Sequence, residues 1–234
     1  MPVVYRDHPG PRTTADIRDL AIAIQANLVQ LKVADARRRK IDPSDHEIQV
    51  VSPGPVIRCR EILISRTHIA AYNDTELQLR MHEVWGQFCL LQWVFEWQDG
   101  IENPPNFADM QPDADVHCGA VLEAKLAEVH AVLWRIRYQQ GVRAESSGAS
   151  AERDRETAER SAATAEIAKV AARIPVTLMG KEIAQNSDDE LAVGACEHAG
   201  MLATVRWLIN PSVAWGDESL GMVHENPFEG LAAK

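Results

Sequence analysis

Four side chains of the types that bind zinc fall at two places in this 234-residue chain, His117 with Cys118 and Cys196 with His198. Imidazole and thiolate are the usual ligands of tetrahedral zinc. Residues two apart on a helix point about 200° away from each other, so Cys196 and His198 are poorly placed to hold one ion. We therefore predict no metal site, and expect His198 to lie in an apolar helix face and to hydrogen-bond across it.

Carboxylates form a second candidate for chemistry. Glu96 and Asp99 are three residues apart and would share one face of a helix, and Glu83 stands thirteen residues before Glu96. Carboxylates at this spacing hold Mg²⁺ in all-helical nucleotide pyrophosphohydrolases, which pair an ExxE with an ExxD motif. Only the second half of that pattern is present. A solvated acidic stripe is the preferred interpretation, and a metal-dependent all-α nucleotide hydrolase using Glu83, Glu96 and Asp99 is the alternative.

Motifs of other common catalytic sites are missing from the sequence. The chain has no GxxxxGK[ST], GxGxxG or GxSxG, and its three His-Glu pairs, at 46, 82 and 224, do not continue to HExxH. The cysteines, at 59, 89, 118 and 196, are scattered without a CxxC pair, which predicts reduced thiols. We expect no cofactor and favour a protein that is not an enzyme.

Composition and charge narrow the class of protein. With 46% hydrophobic and 25% charged residues and no apolar run of membrane-spanning length, the sequence predicts a globular, cytoplasmic protein without membrane contact. The net charge of -10 is uneven: residues 1–72 hold eleven basic against eight acidic residues, 73–114 one against eight, and 187–234 two against eight. This balance argues against nucleic acid as a partner. A second alternative function is an acidic mimic of nucleic acid that occupies a basic protein surface.

The elements that would position these groups are mostly helices. Thr13 and Asp16 form a capping box, and apolar residues then recur at three- and four-residue steps, which predicts a helix to about Arg38. Its end carries four cations: Arg37, Arg38, Arg39 and Lys40. We interpret them as complementing the negative helix C-terminus, with an anion-binding patch as the alternative. Two β-branched runs around "SPGP" then favour a small β-hairpin near 47–64, against a helix entered at Pro55.

The stretch "HEVWGQFCLLQWVFEWQDG", residues 82–100, belongs to a predicted helix. Asn73 or Asp74 can cap its start, with Glu76 near the capping-box position, and Gly100 is its expected stop. Its apolar residues form two faces separated by polar stripes that contain Gln87 and Gln92. The first face holds Val84, Phe88, Leu91 and Phe95, and the second holds Cys89, Leu90, Trp93 and Trp97. Such a helix is central in a bundle or packs on a core and a partner.

We interpret these rings as core or as a subunit contact. The residues assigned to an interface are Trp85, Cys89, Trp93 and Trp97. Gly86 lies in the middle of the same helix, where glycine costs about 1 kcal/mol relative to alanine. A second backbone that passes close to Gly86 would explain it.

Two further strong helices are predicted. One runs from about Asp115 to Tyr138, and the last runs from the capping box of Ser187 and Glu190 to about 209. The first has the apolar seam Leu122, Leu126, Val129, Leu133 and Ile136, and the last has the seam Leu191, Ala195, His198, Leu202, Val205 and Ile209.

The sequence as a whole predicts a mainly α protein, a bundle of about five principal helices. The expected organisation is a helical core over 1–142, a linker at 143–151, C-terminal helices over 152–210 and an irregular tail at 211–234. The preferred function is a non-catalytic helical protein that binds a protein partner or itself. It would act as a subunit of an oligomeric assembly or as a small inhibitor or adaptor, as viral and mobile-element proteins often do.

Overall fold

The computed structural model describes residues 12–41, 63–96, 107, 110, 115–146, 177–212 and 215. The helices are α1 (Thr14–Arg38), α2 (Arg66–Ala71), α3 (Asp74–Val94), α4 (Ala120–Ser146) and α5 (Asp188–Ile209). Strands β1 (Thr177–Leu178) and β2 (Lys181–Glu182) pair antiparallel. Helices hold 77% of the described residues, so the predicted mainly α class is confirmed. None of the described helices combines the length and apolarity needed to cross a bilayer.

Three of the helices begin at the predicted capping boxes. Thr13, Asn73 and Ser187 each accept a hydrogen bond from the third helical backbone N–H. The acidic side chain at that position accepts in return from the cap's own N–H, at 3.0 Å in α1, 2.8 Å in α3 and 2.7 Å in α5. Each box satisfies two donors that the first turn of a helix leaves without partners. The starts of α1, α3 and α5 therefore follow directly from local sequence.

The end of α1 is set by a local contact, whereas the end of α3 is set by a residue far along the chain. Helix α1 ends at Arg38 as predicted, and Lys40 takes a left-handed conformation (φ 59°) that lets the Ile41 N–H donate to the Ala36 carbonyl at 2.9 Å. Helix α3 ends at Val94, so the predicted stop at Gly100 is wrong. The chain turns at Glu96 (φ 54°), where the backbone N–H of His117 donates to the Val94 carbonyl at 2.9 Å.

That contact also moves the start of α4. Residues 115–119 lie along the end of α3 instead of forming the first turn of the next helix, and α4 begins at Ala120. The helix then continues through Ser146, so the predicted linker at 143–151 begins inside α4. The predicted seam is nevertheless the buried side of α4, with Leu122, Val129, Leu133 and Ile136 buried.

Helix α3 is the central element, because it packs against both α1 and α5, and α5 in turn packs against α4. A Cβ on Gly86 would overlap the Glu197 carbonyl oxygen of α5 and lie 2.8 Å from the Glu197 Cα. A Cβ on Gly200 of α5 would in turn overlap the carbonyl oxygen of Glu83. The two glycines thus let the two backbones touch, and the predicted close approach at Gly86 is confirmed.

The glutamines of the polar stripes of α3 are buried. Gln87 is 4% exposed and Gln92 is 9% exposed, since neighbours cover α3 on more sides than the two apolar faces indicated. The predicted first face is core, with Val84, Phe88, Leu91 and Phe95 all buried. Phe107 lies fully buried between the rings of Phe88 and Phe95, at centroid distances of 5.5 Å and 5.6 Å.

The hairpin seen in the structure joins β1 and β2 through Met179 and Gly180, both at positive φ (52° and 75°), as two-residue hairpin loops require. The hairpin predicted near 47–64 lies almost wholly outside the described residues, as does the helical segment expected after 151. Leu178 of β1 packs on Gly194 of α5, and with Ile136, Ile183 and Leu191 it forms a second, smaller core.

Arg143 attaches this hairpin region to α4. Its guanidinium donates to the Asp188 carboxylate at 2.7 Å and to the backbone carbonyls of Ala184 and Asn186 at 2.9 Å and 2.6 Å. The last turn of α4 therefore meets the first turn of α5, and the two helices run antiparallel.

Candidate interaction surface

The three carboxylates of the hydrolase alternative do not come together. Glu83 forms an ion pair with Arg80 at 2.5 Å on α3, and Glu96 contacts Nδ1 of His117 at 3.2 Å beyond the helix end. Thirteen residues of helix place Glu83 and Glu96 about 20 Å apart along α3. One metal ion cannot bridge that distance, and Asp99 lies outside the described residues.

The two candidate zinc-binding pairs, His117 with Cys118 and Cys196 with His198, make unrelated contacts. Cys118 is exposed, and His117 packs on the ring of Trp93 at 4.4 Å. Nδ1 of His198 hydrogen-bonds the Gly194 carbonyl of its own helix at 2.8 Å, so the expected bond across the seam is wrong. A side chain on a helix points back toward the preceding turn, which brings that carbonyl within reach. Within the described part of the chain, no three His, Cys, Asp or Glu side chains are grouped to hold a metal ion.

The thiols between the helices are poor nucleophiles. Burial, assisted by the negative charge of Glu197 and opposed by Lys32, raises the pKa of Cys89 to about 12. Burial also raises the pKa of Cys196, with Glu83 and Glu197 adding to the effect. Both thiols therefore stay protonated at neutral pH and act as small apolar groups.

The tryptophans assigned to an interface lie at seams within the chain. Trp85 stacks on Phe88 at 5.6 Å and has the Lys32 ammonium of α1 5.2 Å from its ring centre. Trp93 packs on His117 and lies 5.1 Å from the Lys125 ammonium of α4. Both rings and Cys89 are half-buried, and Trp97 lies outside the described residues. The chain's own helices thus cover much of this surface.

The basic end of α1 is partly engaged as well. Arg38 donates to the Asp74 carboxylate at 2.9 Å and to the carbonyls of Ile69 and Tyr72, at 3.2 Å and 2.7 Å. Arg39 pairs with Asp35 at 3.0 Å, while Arg37 and Lys40 are exposed. Half of the proposed anion patch is therefore neutralised by partners within the chain.

Several acids of the two acidic segments have local roles. Glu76 and Glu190 complete capping boxes, and Glu197 contacts Nδ1 of His82 at 3.0 Å. Hydrogen bonds from Lys181 and from the Ser187 N–H lower the pKa of Glu190 to about 2. These contacts belong to helix starts and helix crossings.

Helix α4 carries an apolar surface that the sequence interpretation overlooked. At about 100° per residue, seven residues fall within an arc of about 80°, centred about 160° from the buried seam. These residues, here named the outer face of α4, are Ala120, Ala124, Ala127, Ala131, Trp134, Tyr138 and Val142. They contain no charged side chain.

The outer face is exposed in its first half and at Val142, and half-buried from Ala131 to Tyr138. Ala120, Ala124 and Ala127 are exposed, and Val142 is 37% exposed. Trp134 and Tyr138 are half-buried and stack on each other with ring centres 5.5 Å apart and planes at 11°. The face therefore presents small side chains in its first half and large, preorganised rings in its second half.

Charged residues flank the outer face on both sides. One flank holds Glu123 and Arg137, both exposed, and the other holds Glu128 and Arg135. Acids thus lie in the first half of α4 and arginines in the second half. The sequence does contain the signal for this surface, because the seven residues repeat at steps of four and three, as the buried seam does.

The chain matches no protein-family model, no curated protein and no solved structure.

Proposed function

We propose that the chain is a non-catalytic helical protein that binds protein chains through the outer face of α4, as a subunit of an assembly or as an inhibitor or adaptor. The observation that supports this proposal is the second apolar face itself, which lies opposite the side of α4 that packs on α5. A helix with one such face needs a single neighbour, and a helix with two needs a neighbour on each side.

The composition of the face suits a binding surface. Tyr and Trp provide large contact areas and are enriched among residues that dominate binding energy. The exposed alanines in the first half of the face, Ala120, Ala124 and Ala127, let another helix approach closely. The charged flanks form the polar rim that protein interfaces typically have.

The test is affinity capture from the native cell with a matched pair of variants. Ala124→Arg places a long cation in the middle of the outer face, and Ala70→Arg places the same group at an equally exposed alanine of α2. We expect the proteins captured by the wild type to be lost with Ala124→Arg and kept with Ala70→Arg, with unchanged circular dichroism. Equal capture by both variants would contradict the proposal.

The hydrolase alternative has its own measurement. Turnover of nucleoside triphosphates with Mg²⁺ or Mn²⁺ that disappears in Glu96→Gln, but not in Ala124→Arg, would replace binding by catalysis as the function.

A further inference from the structure

We infer that the partner of the outer face is a second copy of this chain, bound antiparallel through α4 with the two-fold axis near Ala131. The inference rests on the proposed function, since it names the occupant of the same surface. It follows from the order of side-chain sizes and of charges along α4.

The sizes of the side chains are complementary in an antiparallel pair. Residues equally distant from Ala131 then face each other, so Ala124 meets Tyr138 of the second copy, and Ala120 meets Val142. Ala127 meets Trp134 in the same way, within one residue of the exact register. Each large side chain of one copy lies over a small one of the other, which is how two helices approach closely without voids. A parallel pair would place Trp134 on Trp134 and leave the alanines opposite one another.

The charges give the same orientation independently. In antiparallel helices each flank meets the same flank of the second copy. Glu123 then lies within two residues of the position opposite Arg137, and Glu128 within one residue of the position opposite Arg135, offsets that these long side chains can span. A parallel arrangement would instead bring like charges together, which is unfavourable.

The state of the second flank agrees with this pairing. The Glu128 side chain is 61% exposed, and although it binds Lys125 at 2.9 Å, a carboxylate can accept several hydrogen bonds. Its exposed oxygens can therefore also accept hydrogen bonds from the terminal guanidinium nitrogens of Arg135 of the second copy.

The expected dimer is a weak one. The outer face spans about 35 Å of helix, and a single pair of helices forms an interface at the small end of specific ones. We therefore expect dissociation in the micromolar range, and the measurement is sedimentation equilibrium of the full chain from about 1 to 300 µM. Wild type and Ala70→Arg should show a concentration-dependent dimer, and Ala124→Arg should remain a monomer with unchanged circular dichroism.

A charge exchange tests the orientation. Glu123 and Arg137 lie fourteen residues apart, about 21 Å along one helix, so they cannot contact each other within a chain. Glu123→Arg and Arg137→Glu should each raise the dissociation constant about three- to tenfold, because the two-fold axis duplicates every change. The double variant should return to within about twofold of the wild type.

Each result decides between explanations. A monomer at all concentrations, a dimer that Ala124→Arg does not weaken, or a double variant weaker than both single variants overturns the antiparallel self-pairing. If the chain stays monomeric while Ala124→Arg loses captured proteins, self-pairing fails and the proposed function stands. If capture is unchanged as well, both fail.

Discussion

The aromatic stretch of α3 and the outer face of α4 behave differently from what their sequences suggest. The stretch that looks like an interface packs within the chain, and the face that looks neutral is exposed in its first half. The α3 stretch is rich in rings, but Trp85 and Trp93 pack on side chains of α1 and α4. Four of the seven residues on the outer face of α4 are alanines, and three of them, Ala120, Ala124 and Ala127, are exposed. The density of rings therefore shows how much surface must be covered, whereas glycines and alanines show where a second helix can approach.

Gly86→Ala tests the packing of α3 on α5 and should have the largest effect on stability. The added methyl group overlaps the backbone of Glu197, which cannot move away as a flexible side chain would. We expect a loss of about 3 kcal/mol in the free energy of unfolding, at the upper end of the usual cost of overpacking, measured by urea denaturation. Gly200→Ala should act similarly through Glu83, and a loss below about 1 kcal/mol in both variants would mean that the two backbones do not touch.

Trp93→Ala tests whether the α3 rings stabilise the single chain or form a contact between subunits. The ring is half-buried between His117 and Lys125, so its removal should cost about 2 kcal/mol, less than the 3 to 5 kcal/mol of a fully buried tryptophan. The sedimentation profile should match that of the wild type. A folded species of smaller size would instead show that Trp93 lies in a subunit interface, as the sequence analysis predicted.

Local sequence was sufficient for some parts of the fold. The starts of α1, α3 and α5 depend on residues three positions apart, and the buried seams of α4 and α5 depend on helical period. The stop of α3 could not be read in this way, because it depends on the backbone of His117, more than twenty residues later. The two-residue strands at 177–182 are too short to give an alternating pattern.

The candidate surface was harder to predict for a different reason. Its alanines carry little hydrophobicity, so the first half of the outer face looks neutral beside the rings of α3. The signal lies in the combination of a second four-and-three repeat with flanks that hold glutamates in the first half of the helix and arginines in the second half. Glu83 and Glu96 are an example of a sequence signal that marks no site. Their residue types suggested metal binding, but the length of α3 keeps the two carboxylates apart.

The pH dependence of stability probes the inner side of α4, where it meets α5 at His198. Burial lowers the pKa of His198, although its bond to the Gly194 carbonyl and the nearby Glu197 and Glu128 oppose this, with Lys125 adding to it. The unfolded chain, with an ordinary histidine pKa near 6.5, takes up a proton first as the pH falls. The stabilising contribution is therefore present above about pH 6.5 and is lost as the pH falls toward the folded pKa.

Thermal unfolding of wild type and His198→Gln between pH 8 and 5 isolates this contribution, since the other titrating groups are common to both proteins. The stability of the wild type should fall more steeply than that of the variant below about pH 7. If stability fell equally with pH in both proteins, burial would not lower the pKa of His198. The inner side of α4 would then be open to water.

Gly141→Ala tests the exposed side of α4. It should have the smallest effect on stability, and it should stabilise the chain. Gly141 is exposed on α4, and a Cβ there would meet no atom within 4 Å, in contrast to Gly86. Alanine should therefore stabilise the helix by about 0.5 to 1 kcal/mol, because it loses less backbone entropy on folding. For a chain of this length, that gain corresponds to a rise in Tm of roughly 1 to 4 °C. Measured at low concentration, where a weak dimer dissociates, a fall in Tm would show that part of the same chain already packs against this end of α4.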